Sequence, residues 1–191
     1  MIALCILVFV GIALVGYLLT VYNGLIRVKA GVALAWSNID VILAQRHDEI
    51  PKLVETCKQY MDYEQSTLQK VMQARASLDT ARGSGDVYSI GNAEGVLRQG
   101  LSGLYAVAEN YPDLKASDAF QHLQQRISGL ETAIADRREV YNAAATTNNV
   151  RIQSFPEILV VSFGDFPAAT LLHFQTQDRT NPDLSALFHS A

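Results

Sequence analysis

Residues 2–21 read IALCILVFVGIALVGYLLTV, and no charged side chain interrupts the chain from Ile2 to Ile26. At ~1.5 Å of rise per residue, a helix of about 20 residues covers ~30 Å, the thickness of a bilayer's hydrocarbon core. Such a helix satisfies its own backbone N–H and C=O groups, which lipid cannot do for it. Tyr17 and Tyr22 suit the membrane interface, where an amphipathic ring meets water at one end. The stretch predicts one transmembrane anchor over residues 1–22. A cleaved signal peptide is the rival, but it needs basic residues before a shorter apolar core. Here no Lys or Arg precedes the segment, and the cleavage-like Ala33-Leu34-Ala35 lies beyond Arg27 and Lys29. Those two cations also set the orientation. Cytoplasmic flanks collect Lys and Arg, so the chain is expected N-terminus out, with the following domain in the cytoplasm.

Outward from the anchor, apolar residues recur in alternating steps of three and four, the spacing of coiled-coil packing. The first seam is Trp36, Ile39, Leu43, Arg46, Ile50, Leu53, Cys57, Tyr60, Glu64, Thr67, Val71, Ala74, Leu78. It predicts a helix from Tyr22 to Arg82, kinked near Pro51 because proline removes one backbone bond and crowds the preceding turn. Gly83-Ser84-Gly85 ends it. A second seam, Val87, Ile90, Glu94, Leu97, Leu101, Leu104, Ala108, Tyr111, predicts a helix over 86–110, stopped by Pro112. Gly91, Gly95, Gly100 and Gly103 fall within it. They read either as weak helicity rescued by packing or as a close approach by a neighbouring helix. A third seam starts after the N-cap residue Ser117: Phe120, Leu123, Ile127, Leu130, Ile134, Arg137, Tyr141, Ala144, Asn148, Ile152. The expected class is all-α: an anchor, then an elongated antiparallel bundle or coiled-coil stalk of three long helices over residues 23–155. Residues 156–174, with the apolar run Ile158–Phe163, are expected to fold back on the bundle, contact with membrane or another subunit being the alternative. Residues 175–191 are expected to be a mobile tail, with Leu184, Leu187 and Phe188 as a weak docking signal.

The residues carry no catalytic signature. Neither Ser84 nor Ser102 stands in a Gly-x-Ser-x-Gly frame, since Arg82 and Leu104 occupy framing positions. No glutamate has a histidine three residues on, as a di-iron bundle would need, and His47-Asp48-Glu49 is the one local cluster of ligand types. No enzyme activity, cofactor or metal is expected. The net charge is −4 with the 15 basic residues dispersed, which argues against nucleic acid as a partner. Cys5 and Cys57 are too differently placed to form a disulfide framework, and Cys57 reads as a small core residue. Charges inside the seams are more informative: Arg46, Glu64, Glu94 and Arg137. Counting from the turns places Glu94 level with Arg75 and Arg137. A charge network of Arg75, Glu94 and Arg137 would fix helix register, as polar seam residues do; a solvated face or a proton-handling site are the alternatives.

Separated motifs, in order, carry a resemblance. They are Tyr22-Asn23, Ala35-Trp36-Ser37-Asn38-Ile39-Asp40-Val41, Arg46-His47-Asp48 and Ile50-Pro51-Lys52-Leu53-Val54-Glu55-Thr56. Further on come Ala108-Glu109-Asn110-Tyr111-Pro112-Asp113-Leu114-Lys115, Arg138 with Tyr141-Asn142, and Phe155-Pro156. Together they resemble the bacterial LemA family over about residues 21–166. The resemblance implies a membrane-anchored helical protein with its bulk in the cytoplasm, and it supplies no catalytic residues. The function expected is a self-associating scaffold with the lipid bilayer and further copies of itself as partners. An adaptor recruiting another membrane protein is the alternative, and a metal-dependent or hydrolytic enzyme a more distant one.

Overall fold

The computed structural model describes residues 1–61 and 63–173. Among these residues the structure is helical throughout and contains no strand. The elements are α1 (Ile2–Lys58), α2 (Gln65–Ser84), α3 (Val87–Ala108), α4 (Pro112–Lys115), α5 (Asp118–Gln153) and α6 (Glu157–Val161). The chain forms two compact units. One comprises residues 1–48 and 125–171; the other comprises 49–124 with Leu172 and His173.

In the first unit, α1 begins with the apolar stretch. Every residue from Met1 to Thr20 is exposed, so no protein surface covers it. Burial begins at Val21 and Leu25 and continues at Ala35, Ile39 and Leu43. Contacts with α5 fix the relative direction of the two helices. Gly24 meets Arg151, Trp36 meets Tyr141 and Arg46 meets Glu131. Numbers rise on α1 as they fall on α5, so the pair is antiparallel. Arg137 departs from the expected seam: its side chain is exposed, and Arg138 is the partly buried residue between Ile134 and Tyr141. A step of four followed by three serves the same face as three followed by four, because 3.6 residues per turn lies between them.

The second unit corrects the single long first helix. α1 continues through Pro51 and stops at Lys58. The N–H groups of Tyr60 and Met61 both turn back to the Cys57 carbonyl, at 3.0 Å. The break between α1 and α2 carries no glycine or proline. Beside it Met61 is buried, while Tyr60 and Tyr63 are exposed. α2 then packs against α3 across the turn Gly85-Asp86, forming a helical hairpin. Gly85 takes φ 70°, a left-handed conformation that suits glycine at a helix C-terminus. Asp86 caps α3 by accepting from the N–H groups of Tyr88 and Ser89. The Ser89 hydroxyl, which also donates to this carboxylate, and then the Ser89 N–H hold the carboxyl below its usual range. Pro112 does not simply stop α3; it opens the one-turn α4, where its missing N–H costs nothing.

Of the four α3 glycines, Gly91 has a defined reason. A Cβ there would stand 2.3 Å from the carbonyl oxygen of His173, so backbone approaches backbone. The approach comes from Leu172–His173, which lie outside any helix. At Gly100 a Cβ would meet Val71 at an ordinary 3.6 Å, and at Gly103 it would meet nothing. Gly91→Ala is expected to lower stability by about 1–3 kcal/mol through overpacking, whereas Gly103→Ala should be neutral or stabilising. Chemical denaturation followed by circular dichroism compares the two.

Candidate functional site

The most organised part of the first unit lies where α1 leaves its apolar stretch. Val21 and Leu25, one turn apart, pack with Val160 of α6 and with Phe166, and Ile152 and Val161 close the cluster. Tyr22 meets the Phe166 ring edge to face at 5.6 Å. Charged groups fasten the margin. Lys29 Nζ donates to the Asp165 carbonyl at 2.6 Å and to its carboxylate at 3.1 Å. Arg151 donates from Nε and Nη2 to one Glu157 oxygen at 3.1 and 2.9 Å, and from Nη1 to the Gly24 carbonyl at 3.4 Å. The Glu157 carboxyl is held below its usual range, first by its own backbone N–H at the start of α6 and then by Arg151.

Beyond Phe166 the chain continues outside any helix and α5 straps it down. Asn149 makes a reciprocal pair with Ala169, accepting from its N–H at 2.7 Å and donating to its carbonyl at 2.8 Å. A carboxamide placed this way substitutes for a neighbouring strand. Asn148 donates to the Pro167 carbonyl at 3.1 Å, and the Tyr141 hydroxyl donates to the Thr170 carbonyl at 2.7 Å. Burial raises the Tyr141 pKa, which keeps the phenol neutral and able to donate. The Tyr141 ring also packs on Trp36 at 5.4 Å. A cavity of about 250 Å³ opens here, lined in part by Lys29, Val32, Trp36, Tyr141 and Asn148. These groups grip backbone. They do not pair a nucleophile with a base.

The other residues singled out in the sequence are dispersed. Glu94 is buried on α3 and Arg75 partly buried on α2, two helices that pack together; Arg137 is exposed on α5 in the first unit. Pro51 is partly buried inside α1. His47 is partly buried and Asp48 exposed, while Glu49 accepts from Lys52 at 3.2 Å. Among the described residues, no group of three or more His, Cys, Asp or Glu is placed to hold a metal ion. Phe174 and the tail 175–191, with Leu184, Leu187 and Phe188, lie outside the described residues.

Cys57 is fully buried, and that burial pushes its thiol up to about 12. At pH 8 about one molecule in ten thousand would carry the reactive thiolate. Cys57 is expected to resist Ellman's reagent in the folded protein and to react within minutes in denaturant. Rapid reaction in the native state would contradict the buried placement.

With this geometry in hand, comparison with known proteins is decisive for the family. The model of the LemA family matches residues 35–185, most of the chain. The chain belongs to the LemA family. Two relatives, the magnetosome proteins MamQ 2 and MamQ 1 of Paramagnetospirillum magneticum, are each 26% identical over 168 residues, covering 76% of this chain and 62% of theirs. A third, magnetosome protein MamQ of Magnetospirillum gryphiswaldense, is 36% identical over 64 residues, covering 34% of this chain and 24% of its own. The chain thus spans about three fifths of the length of the first two relatives. Family membership, the helical fold and, among the described residues, one helix long and apolar enough to cross a membrane together describe a membrane-associated LemA-family protein. The matched residues include Asn148, Asn149 and Tyr141. The strap was not foreseen in the sequence; adjacent asparagines late in a helix, where Asn is a poor helix former, were its one available signal.

Proposed function

We propose that this LemA-family protein is a membrane-anchored helical scaffold that self-associates at the bacterial inner membrane, with its N-terminus outside and its helical units in the cytoplasm. The observation that carries the reading is the continuity of α1. The helix passes from residues that nothing covers into residues buried by α5, with no flexible linker between. An anchor joined rigidly to its domain fixes the angle at which neighbouring copies meet, and a fixed angle favours repeated contacts between copies. The relatives' printed names tie them to magnetosomes. For this chain they support a role at a membrane, and the cargo or compartment is not carried over.

Light scattering of the detergent-extracted, full-length protein tests self-association; a strict monomer across concentrations would overturn it. Glu94 serves this reading as a register residue, with Arg75 and Arg137 as its candidate partners. Denaturation of Glu94→Ala, Arg75→Ala, Arg137→Ala and the corresponding double variants measures the coupling, expected at about 0.5–3 kcal/mol for residues in one network. Purely additive losses would remove the network.

A second reading, an adaptor for another membrane protein, is favoured by a groove of about 450 Å³ in the second unit. Val54, Met61, Leu68 and Met72 line it, with Lys58 at its edge. Methionines suit a surface that must adapt to a partner's side chains. Crosslinking in cells separates the readings: products containing only this chain support the scaffold, and a second protein supports the adaptor.

A further inference from the structure

Residues 155–163 read FPEILVVSF, with Glu157 the sole charge. One side of this segment is accounted for, because Val160 and Val161 pack against Val21, Leu25 and Phe166. The other side is not. Phe155 is 79% exposed, Ile158 49%, Leu159 55% and Phe163 84%. Four large apolar side chains within nine residues form a patch, unlike the single exposed valines elsewhere on α3 and α5.

The position of the patch decides what covers it. Val21 is the last residue of the apolar stretch and Leu25 is one turn further, ~6 Å along the helix axis. Both touch the α6 cluster. With α1 across a bilayer, the segment is held at the level of the headgroups. There the lipid surface around the span continues directly onto the patch. The charges nearby agree with that level: Glu157 is paired with Arg151, Lys29 with Asp165, and Arg27 is exposed. Pairing removes the cost of bringing Glu157 to an anionic surface, and Arg27 remains available for lipid phosphates. A second copy is a poorer occupant, since it would have to reach the patch at the membrane surface, where lipid already surrounds the span.

We propose that residues 155–163 form a second membrane contact, an interfacial foot that buries Phe155, Ile158, Leu159 and Phe163 among the headgroups beside the span. The foot and the span together hold the first unit at two points, which would stop it swivelling about α1. The proposal rests on α1 crossing the bilayer, and the test keeps the two apart. Full-length protein is reconstituted in phosphatidylcholine–phosphatidylglycerol vesicles with and without doxyl-labelled lipid. An NBD fluorophore is attached to native Cys5, which is exposed in the apolar stretch. In a Cys5→Ser background it is placed instead through Phe163→Cys, Leu159→Cys or, as a control, Ser128→Cys, all exposed positions. Labels at 163 and 159 are expected to shift to the blue and to be quenched by doxyl lipid at least about threefold more than the label at 128. Quenching at Cys5 with none above the control at 163 and 159 would overturn the foot and leave the span intact. Labels at 163 and 159 that are shielded from water yet untouched by doxyl lipid would place another protein surface there and also overturn it. Absence of quenching at Cys5 would overturn the span, and the foot with it.

Discussion

Replacing Val10 and Leu14 together with arginine is expected to remove the protein from the carbonate-resistant membrane fraction. Both side chains are more than half exposed, and no residue from Met1 to Thr20 is covered by the rest of the chain. The apolar stretch therefore draws its stability from lipid alone. Each arginine near the middle of a span opposes insertion by about 2.5–3.5 kcal/mol on the translocon scale, so the pair opposes it by about 5–7 kcal/mol. Every 1.4 kcal/mol is a factor of ten, which makes the shift in partition about four-thousandfold to a hundred-thousandfold. Val10→Leu with Leu14→Ile preserves length and hydropathy and is expected to leave the protein in the membrane. Retention of the double-arginine protein after alkaline wash would show that α1 is not what holds the chain there.

Arg46→Ala is expected to be the most damaging single change in the helical part, lowering stability by about 3–5 kcal/mol. Among the described residues Arg46 has the largest fully buried side chain, at 2% exposure in the middle of the first seam. Its Nη1 lies 3.9 Å from Glu131 Oε1, an ion pair longer than a hydrogen bond. Glu131 keeps 28% of its side chain in solvent. The two partners are thus unequal. Truncating the arginine leaves the space of its buried methylenes unfilled and removes a cation from beside a partly buried carboxylate. Arg46→Met fills most of that volume without charge and should recover over half of the loss. Glu131→Gln leaves a solvated amide in place of the carboxylate and should cost roughly 1 kcal/mol or less. Chemical denaturation of the three variants in detergent gives the order; equal effects of Arg46→Ala and Glu131→Gln would refute this account.

The sequence made the buried faces legible. Ile39, Leu43, Arg46, Ile50, Leu53, Cys57, Val71, Ala74 and Leu78 were read from one periodicity, and all are buried. The same holds on α3 for Ile90, Glu94, Leu97, Leu101, Leu104 and Ala108. Periodicity reports which stripe of a helix avoids water, and that is a local property. It carries no information about where a helix stops when no cap or breaker marks the end. The seam therefore passes undisturbed from Cys57 to Thr67, although α1 ends at Lys58 and α2 begins only at Gln65. Gly91 shows the same limit: the frequency of glycine on α3 leaves weak helicity and a neighbouring helix as equal readings, while the backbone pressed against Gly91 belongs to Leu172–His173, some 80 residues away. Tyr141, Asn148 and Asn149 were visible only as seam positions or near neighbours. Their role in strapping Pro167–Thr170 depends on a chain reversal that no pattern within α5 encodes.

The anchor sharpens the division. Residues 2–21 by themselves determined one candidate crossing, because the length and polarity a bilayer demands are written in composition alone. The α-helical class and the inward stripes followed from the 3.6-residue repeat in the same way. Tertiary structure alone decided that the Phe155–Phe163 segment returns to the foot of that anchor, with Val160 and Phe166 on Val21 and Leu25. The reason is physical: burial of a side chain can be anticipated from its own chemistry, but the identity of the surface that buries it depends on contacts more than a hundred residues apart, which only the folded chain brings together.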